Sequence, residues 1–467
     1  MRYKSLFVIL WILLSHAVSW GACTGSSPIW NSTPDYASVN TCVQNASVGD
    51  TIYVSAGTAI WNSTLMVRKG VNLIGAGKDS TTIECGSADP LMEYLPANES
   101  LNAQWEVAGF SLDSNNTCTV IALGEYNYEP TTLQTKVKIH DNNIYGTTSA
   151  NSNYQYIMNY NMGGVVYNNT FTGKDQQIRS LGFGRTGLFG VVENEWGSSN
   201  ALYIEDNVFN MSCQDGDYIA DCQYSGVKRV WRYNSFHVNC NVSWSGFIDV
   251  HGYADTDQTS CYGDEIYGNQ GVSSSNEEWA WVAARGGKNA VFYNDVTTNS
   301  SVSPGIYYCY GCAPTYKDAQ QLKAYFWNNR KNLITNAQDG TRQCGPECPF
   351  ACDGTSNYPA EDRQVFNFEP SFNGSSGVGC GPALPNGGDA SGYLEGTGFW
   401  VTSQSCSNLT GLVGPNPNTP ISGTLYTVVG GSWVKLYNPY TYPHPLREAS
   451  SLPAPSPPTN LRIITPQ

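Results

Sequence analysis

Apolar and polar positions alternate with a period of two through most of the chain, and the alternation restarts around a recurring asparagine. The stretches YIEDNVF (203–209) and VWRYNSF (230–236) share one cadence, 27 positions apart: an apolar residue three before an Asn, variable residues on either side of it, and Phe two after the Asn. The same frame fits KIHDNNI around Asn142, VVYNNTF around Asn169, EIYGNQG around Asn269 and VFYNDV around Asn294, with steps of 27, 38, 27, 35 and 25 residues. YFWNNRKN and VFNFEPSF continue it loosely. A period of two predicts strands. Steps near 26 with occasional longer ones predict a coil of nearly constant perimeter that accepts loop insertions. Helical repeats of similar length would need sustained 3.6-residue periodicity, which no window shows.

Side chains alternate across a strand, so the residues three before each Asn (Ile139, Val166, Ile204, Trp231, Ile266, Val291) are expected inside. Ile144, Phe171, Phe209, Phe236 and Val296, two after the Asn, join them. The Asn suits a tight bend and can stack as a ladder from coil to coil. The column two before Asn then faces outward and reads His140, Tyr167, Glu205, Arg232, Tyr267, Phe292; the column four before reads Lys138, Val165, Tyr203, Val230, Glu265, Ala290. In-register stacking puts Glu205 beside Arg232, with Tyr203, Glu265 and Tyr267 around them. Exposed aromatic rings, a guanidinium and carboxylates suit a sugar chain. The plainer alternative is a solvated sheet with a cross-coil ion pair worth about 0 to 1 kcal/mol.

A second cluster lies in SWSGFIDVHGYADTD. With Ile248 and Val250 inward, Asp249 and His251 share the outward face, and aligning HG (251–252) with RG (285–286) puts Arg285 one coil from His251. The preceding coil brings QDGDYIAD, whose Asp215, Asp217 and Asp221 are candidate Ca²⁺ ligands. A neutral His or a desolvated Arg can remove the proton alpha to a uronate carboxylate, with Ca²⁺ neutralising the developing charge. His251 is the best single base candidate, because its pKa needs little tuning.

The segment SVNTCVQNASVGDTIYVSAGTAIWNSTLMVRKGVNLIGAGKDSTTI (38–83) resembles the start of right-handed parallel β-helices of the pectate-lyase-like (pectin lyase fold) superfamily, and YNPYTYPHPL (437–446) is similar to the close of many secreted bacterial members. The resemblance implies an all-β chain: a right-handed parallel β-helix (solenoid) with an N-terminal amphipathic helix cap and an irregular disulfide-rich C-terminal region. On this reading residues 1–22 are a signal peptide, 23–70 the cap and first strands, 71–375 the β-helix, 376–446 closing strands and 447–467 a Pro-rich tail. Roughly ten coils stacked at about 4.8 Å make a rod about 50 Å long. The resemblance implies the fold and leaves activity open. FIDVHG and ARGGKNAVFYND match the motifs of Ca²⁺-dependent lyases only faintly. VHGY lacks the Gly that precedes the His in polygalacturonase-like hydrolases, and no tandem Asp pair occurs. No catalytic residue is carried over from a motif.

Composition narrows the setting. Arg2 and Lys4, the apolar run Leu6–Leu14, and small residues at Ala17 and Ser19 read as a secretory signal, and no later stretch reaches the roughly 18 apolar residues of a membrane span. All 15 cysteines lie beyond it, so they are expected as half-cystines. Cys309, Cys312, Cys344, Cys348 and Cys352 imitate zinc spacing, but their Gly- and Pro-rich surroundings without a nearby His favour a disulfide-pinned loop. An odd count leaves one thiol over. The net charge of −14 argues against nucleic acid and anionic membranes. Asn31, Asn62, Asn210 and Asn241 begin glycosylation sequons, in a chain where Asn is common enough for chance matches. The expectation is therefore a secreted protein that acts on or binds an acidic polysaccharide, foremost as a lyase. Its candidate catalytic residues are Glu205, Arg232, Asp249, His251, Glu265 and Arg285, its sugar-binding tyrosines Tyr167, Tyr203 and Tyr267, and its cofactor, if any, Ca²⁺. The alternatives are a non-catalytic glycan-binding or cell-surface module and a structural rod or fibre subunit.

Overall fold

The computed structural model describes residues 23–125, 131–146, 154–173, 178–181, 196–213, 220–223, 228–240, 246–250, 263–273, 280–284, 287–298, 305–306, 321–330, 365–367 and 376–448. About half of them are in β-strands, chiefly in long parallel sheets. A 13-stranded sheet and two 9-stranded sheets run the length of the molecule, and a separate 4-stranded sheet lies in the C-terminal part. The chain visits the three long sheets in rotation. Leu202–Glu205 lies in the first sheet between Gly164–Tyr167 and Lys228–Arg232. The next strand, Val208–Cys213, lies in the second sheet between Thr170–Gly173 and Ser235–Cys240, and Ala220–Gln223 lies in the third between Ile178–Leu181 and Gly246–Val250.

The register is the one the recurring Asn implies. Ile204 pairs with Val166 and Trp231, and Trp231 with Ile266. All four are fully buried in a single apolar core. Phe171, Phe209 and Phe236 fall in one column of the second sheet and stack with ring centroids 4.8 Å apart. Each such ring pair adds about 0.5–1.5 kcal/mol beyond its buried area.

One corner, between the first and second sheets, is built identically in coil after coil. The residue before each Asn has a left-handed backbone, with φ between 53° and 67° at Asp141, Asn168, Asp206, Tyr233, Gly268, Tyr293 and Asn328. The buried Asn that follows ties three levels together. The Asn207 N–H and Nδ2 both donate to Asn234 Oδ1, at 3.0 and 3.1 Å, and Nδ2 also reaches the Val166 carbonyl at 2.9 Å. The same bonds link Asn142, Asn169, Asn234, Asn269, Asn294 and Asn329 into one ladder. A left-handed turn costs an ordinary residue about 1–2 kcal/mol. Tyr233 and Tyr293 accept that cost because the turn aims their rings out of the coil into a second apolar cluster.

At the start of the chain Asp35 caps the helix Tyr36–Asn45, accepting from the Ser38 N–H at 3.0 Å. Its buried face, Val39, Cys42 and Val43, packs on the first strands, and the disulfide Cys23–Cys42 pins it to the opening hairpin. Two further disulfides, Cys85–Cys118 and Cys380–Cys406, are present. The signal segment and the cysteines at 309, 312, 344, 348 and 352 lie outside the described residues. Among the described residues no helix is long and apolar enough to cross a membrane.

Beyond residue 376 the strands Val378–Gly381, Gly398–Val401, Thr424–Val429 and Ser432–Tyr437 form the 4-stranded sheet. This part lies against the outer face of the first long sheet. Trp400 sits 5.4 Å from Phe292 and 5.2 Å from Trp327, and Tyr437 sits 5.8 Å from Phe292. The result is a second core outside the coil, containing Tyr203, Tyr233, Tyr267, Tyr293 and Tyr325.

Candidate functional site

Glu205 and Arg232 are partners in register, as the repeat implies, with Nη2 2.6 Å from Oε2. The exposed groove expected around them is absent: Tyr203, Glu205, Arg232 and Tyr267 are all 0% exposed, and Glu265 is 3% exposed. The side chains do leave the coil on its outer side, but the C-terminal segment covers them. The five Arg232 N–H groups are accounted for by Glu205, the Tyr267 hydroxyl (3.0 Å) and the carbonyls of Tyr440 (2.8 Å) and Thr441 (2.9 Å). Glu205 Oε1 accepts from the His444 N–H and from Arg447, both at 3.0 Å. Arg447, assigned by sequence to the tail, thus belongs to the docked segment. Burial pushes the Glu205 carboxyl up, but Arg232, the His444 N–H and Arg447 outweigh it and hold it below the ordinary range. Among the described residues no cation forms an ion pair with Glu265. Burial raises it to about 7, only partly offset by the Gly197 N–H at 2.8 Å and the Tyr437 hydroxyl at 2.7 Å. Sequence alone could not reveal a cover that arrives from some 200 residues away.

The same face continues toward the N-terminus as a polar network. Gln104 Nε2 donates to Asn72 (3.1 Å) and to Glu106 (3.0 Å); Glu106 meets Lys138 at 3.2 Å and His140 Nε2 at 2.6 Å; His140 Nδ1 meets Asp141 at 2.7 Å. Burial lowers the His140 pKa, but Asp141 and Glu106 outweigh it and raise it, and with both ring nitrogens bonded to carboxylates none is left for a ligand. Tyr167 is sandwiched between this ring, 4.5 Å away, and Arg447, also at 4.5 Å. The three tyrosines expected to stack on sugar are therefore occupied by the protein itself.

The other candidates divide. Ile248 and Val250 are in the core as expected, and Asp249 is fully buried, its carbonyl accepting from Arg229 Nη2 at 2.9 Å. Asp221 is buried and its carbonyl accepts from Arg229 Nη1 at 2.7 Å. His251, Arg285, Asp215 and Asp217 lie outside the described residues. Among the described residues no group of three or more His, Cys, Asp or Glu is placed to hold a metal. Arg229 itself was passed over by the sequence reading. It shares the inward parity of Trp231, and inside the coil it forms a fork with Asp264, Nε to Oδ1 at 3.0 Å, while tying the first sheet to the backbone of the third. A charged residue at an inward position, one coil from an acid at the same position, was the available signal.

The open surface is on the second sheet. The residues three after each Asn line up in register as Tyr145, Thr172, Asn210, His237, Val272 and Thr297. A groove of about 580 Å³ follows this column, lined by Thr172, Asn210, His237 and Val272 together with Met211 and Val238. His237 is exposed, its Nε2 3.2 Å from Ser235 Oγ, and Val272 is 54% exposed. On one wall Gly146 and Gly173 leave room for the Tyr156 hydroxyl, which a Cβ at Gly173 would strike at 2.1 Å. The column was legible as outward by the same parity argument that picked out Glu205.

No family model and no curated protein matches the chain. Among solved structures, one match is a protein named "Geobacillus virus E2 - ORF18", at 15% sequence identity and a TM-score of 0.29, covering 58% of this chain and 55% of that one. The chain thus spans about half the length of that protein, and the likeness is too distant to bear on fold or site.

Proposed function

We propose that the protein is an exported parallel β-helix, of the pectate-lyase-like kind that residues 38–83 resemble, which binds a polysaccharide along the open face of its second sheet. The rotation of the chain through three parallel sheets and the Asn ladder support the architecture. The signal-like residues 1–22 and the disulfides support export.

The observation that carries the binding reading is the groove. Its volume is in the range of ligand sites. Val272, which is 54% exposed, offers apolar surface to the C–H face of a pyranose ring, and Thr172, Asn210 and His237 offer donors and acceptors to hydroxyls. The side chains repeat strand by strand, about every 4.8 Å, which suits a linear polymer. Among the described lining residues His237 alone is ionisable, so the groove favours a neutral glycan over an acidic one. A lyase or hydrolase centred on Glu205, Arg232 and Glu265 loses its support with the sealing of that face.

Calorimetric titration against a panel of neutral and acidic polysaccharides, with and without Ca²⁺, tests the reading. Binding that the double variant Asn210→Ala/His237→Ala weakens at least tenfold is expected. Absence of binding across the panel, or binding indifferent to both substitutions, overturns it. Assay of the same mixtures for unsaturated uronates and new reducing ends separates binding from turnover.

A further inference from the structure

The segment Tyr437–Arg447 lies across the outer face of the first sheet and is held there by polar ties. Arg447 pairs with Glu205 and Asp206, the Tyr442 hydroxyl donates to both Asp206 oxygens at 2.9 and 2.8 Å, and Arg232 donates to two of the segment's carbonyls. In the middle stands His444, 3% exposed, its ring 4.7 Å from Tyr203 and 5.5 Å from Tyr440. Nδ1 accepts the Leu446 N–H at 3.2 Å, which makes the ring neutral with its proton on Nε2, and Nε2 has no hydrogen-bond partner among the described residues. A second proton must therefore go to Nδ1, where it turns an acceptor into a donor facing a donor.

The surroundings also oppose the charge. Glu205 from the sheet favours it, but that carboxylate is already shared by Arg232 from the sheet and Arg447 from the segment, and both guanidiniums repel an imidazolium. Tyr203 and Tyr442, both pushed up by burial, add no negative charge, and Tyr440 is the other ring against His444. Burial, followed by the two arginines against Glu205, pushes His444 down to about 4. Burial pushes Asp206 up despite its partners, so acid also weakens the Arg447 anchor.

We propose that Tyr437–Arg447 is an acid-released latch, shut while His444 is neutral and opened when its imidazole takes a proton. A depressed histidine pKa means that docking is fully stable above about pH 6.5 and loses stability as the pH falls toward 4. Opening uncovers Tyr203, Arg232 and Tyr233 while the coil beneath stays intact.

Hydrogen exchange of the full chain, read by mass spectrometry from pH 7 to pH 3.5 and corrected for intrinsic rates, tests this. Protection of residues 438–448 should fall at least tenfold by pH 4 while residues 229–236 keep theirs. His444→Phe, which retains the ring but cannot take a proton, should hold the latch shut at pH 4; Arg447→Gln should loosen it at every pH. Undiminished protection of 438–448 at pH 4, simultaneous loss across both regions, or opening of His444→Phe at the wild-type pH overturns the proposal. If His444→Phe is already open at pH 7, the imidazole resonances of wild-type protein decide: a His444 titration more than one pH unit from the opening midpoint overturns it.

Discussion

Arg232 and His237 stand five residues apart, on either side of the Asn234 corner, and meet opposite surroundings. Arg232 points out from the first sheet into a layer of tyrosines and main-chain carbonyls supplied by residues 437–447, whereas His237 points out from the second sheet into solvent. Both positions lie outward by the alternation of their own strands, Arg232 next to the buried Trp231 and His237 next to the buried Phe236. What separates them is where the C-terminal strands lie: they cover one outer face, convert its charges into an interior network and leave the other to the solvent. An outward position on a repeating sheet is thus only a candidate surface position until the rest of the chain has been placed.

The sharpest way to break this contrast is to remove a charge from the sealed face. Arg232→Ala takes from the buried Glu205 its in-register partner, leaving only Arg447 and the His444 N–H on it, and should cost about 3–5 kcal/mol in chemical denaturation. A loss under 1 kcal/mol would mean that water already reaches the pair. Asn234→Ala, in the corner shared by both faces, leaves the buried Asn207 N–H without its acceptor and removes one of the acceptors of Nδ2, and should cost about 1–3 kcal/mol.

A smaller effect is expected from Glu265. Its raised pKa lets the folded protein keep a proton that the unfolded chain releases, so its contribution is full below about pH 4.5 and is lost as the pH rises toward about 7. Relative to wild type, Glu265→Gln should flatten the stability profile over that window, and an unchanged profile would show the carboxyl to be hydrated. Least of all, His237→Ala on the open face should move stability by no more than about 0.5 kcal/mol. A larger loss there would show that this face, too, is covered.

The coil interior was legible because its signal is local and repeated: Ile204, Trp231 and Ile266 recur at a fixed distance from an Asn, and a period of two admits only one inward set. The ladder was legible for the same reason. The cover was not, because YNPYTYPHPL carries no repeat that marks its target, and its pairing with Glu205 and Arg232 spans more than 200 residues with nothing local to report it. The left-handed tyrosines were a clue that went unread. Asp206 and Gly268 are ordinary occupants of such a turn, whereas a tyrosine at the equivalent place, as at 233 and 293, pays a backbone cost that only a buried ring repays. The open groove was readable by parity, but its uncharged residues do not advertise themselves as acid, guanidinium and tyrosine do.

The two-residue corner also governs how the molecule can grow. Between Glu205 and Val208, between Arg232 and Ser235, and between Tyr267 and Gln270 the chain spends the same two residues, although successive Asn are 27 and 35 apart, so every extra residue is placed elsewhere on the circuit. Length variation and structural continuity are thereby kept on different edges of the same stack of strands. One edge is a fixed spine that holds successive levels in line, and the others are free to carry loops of whatever size a surface requires.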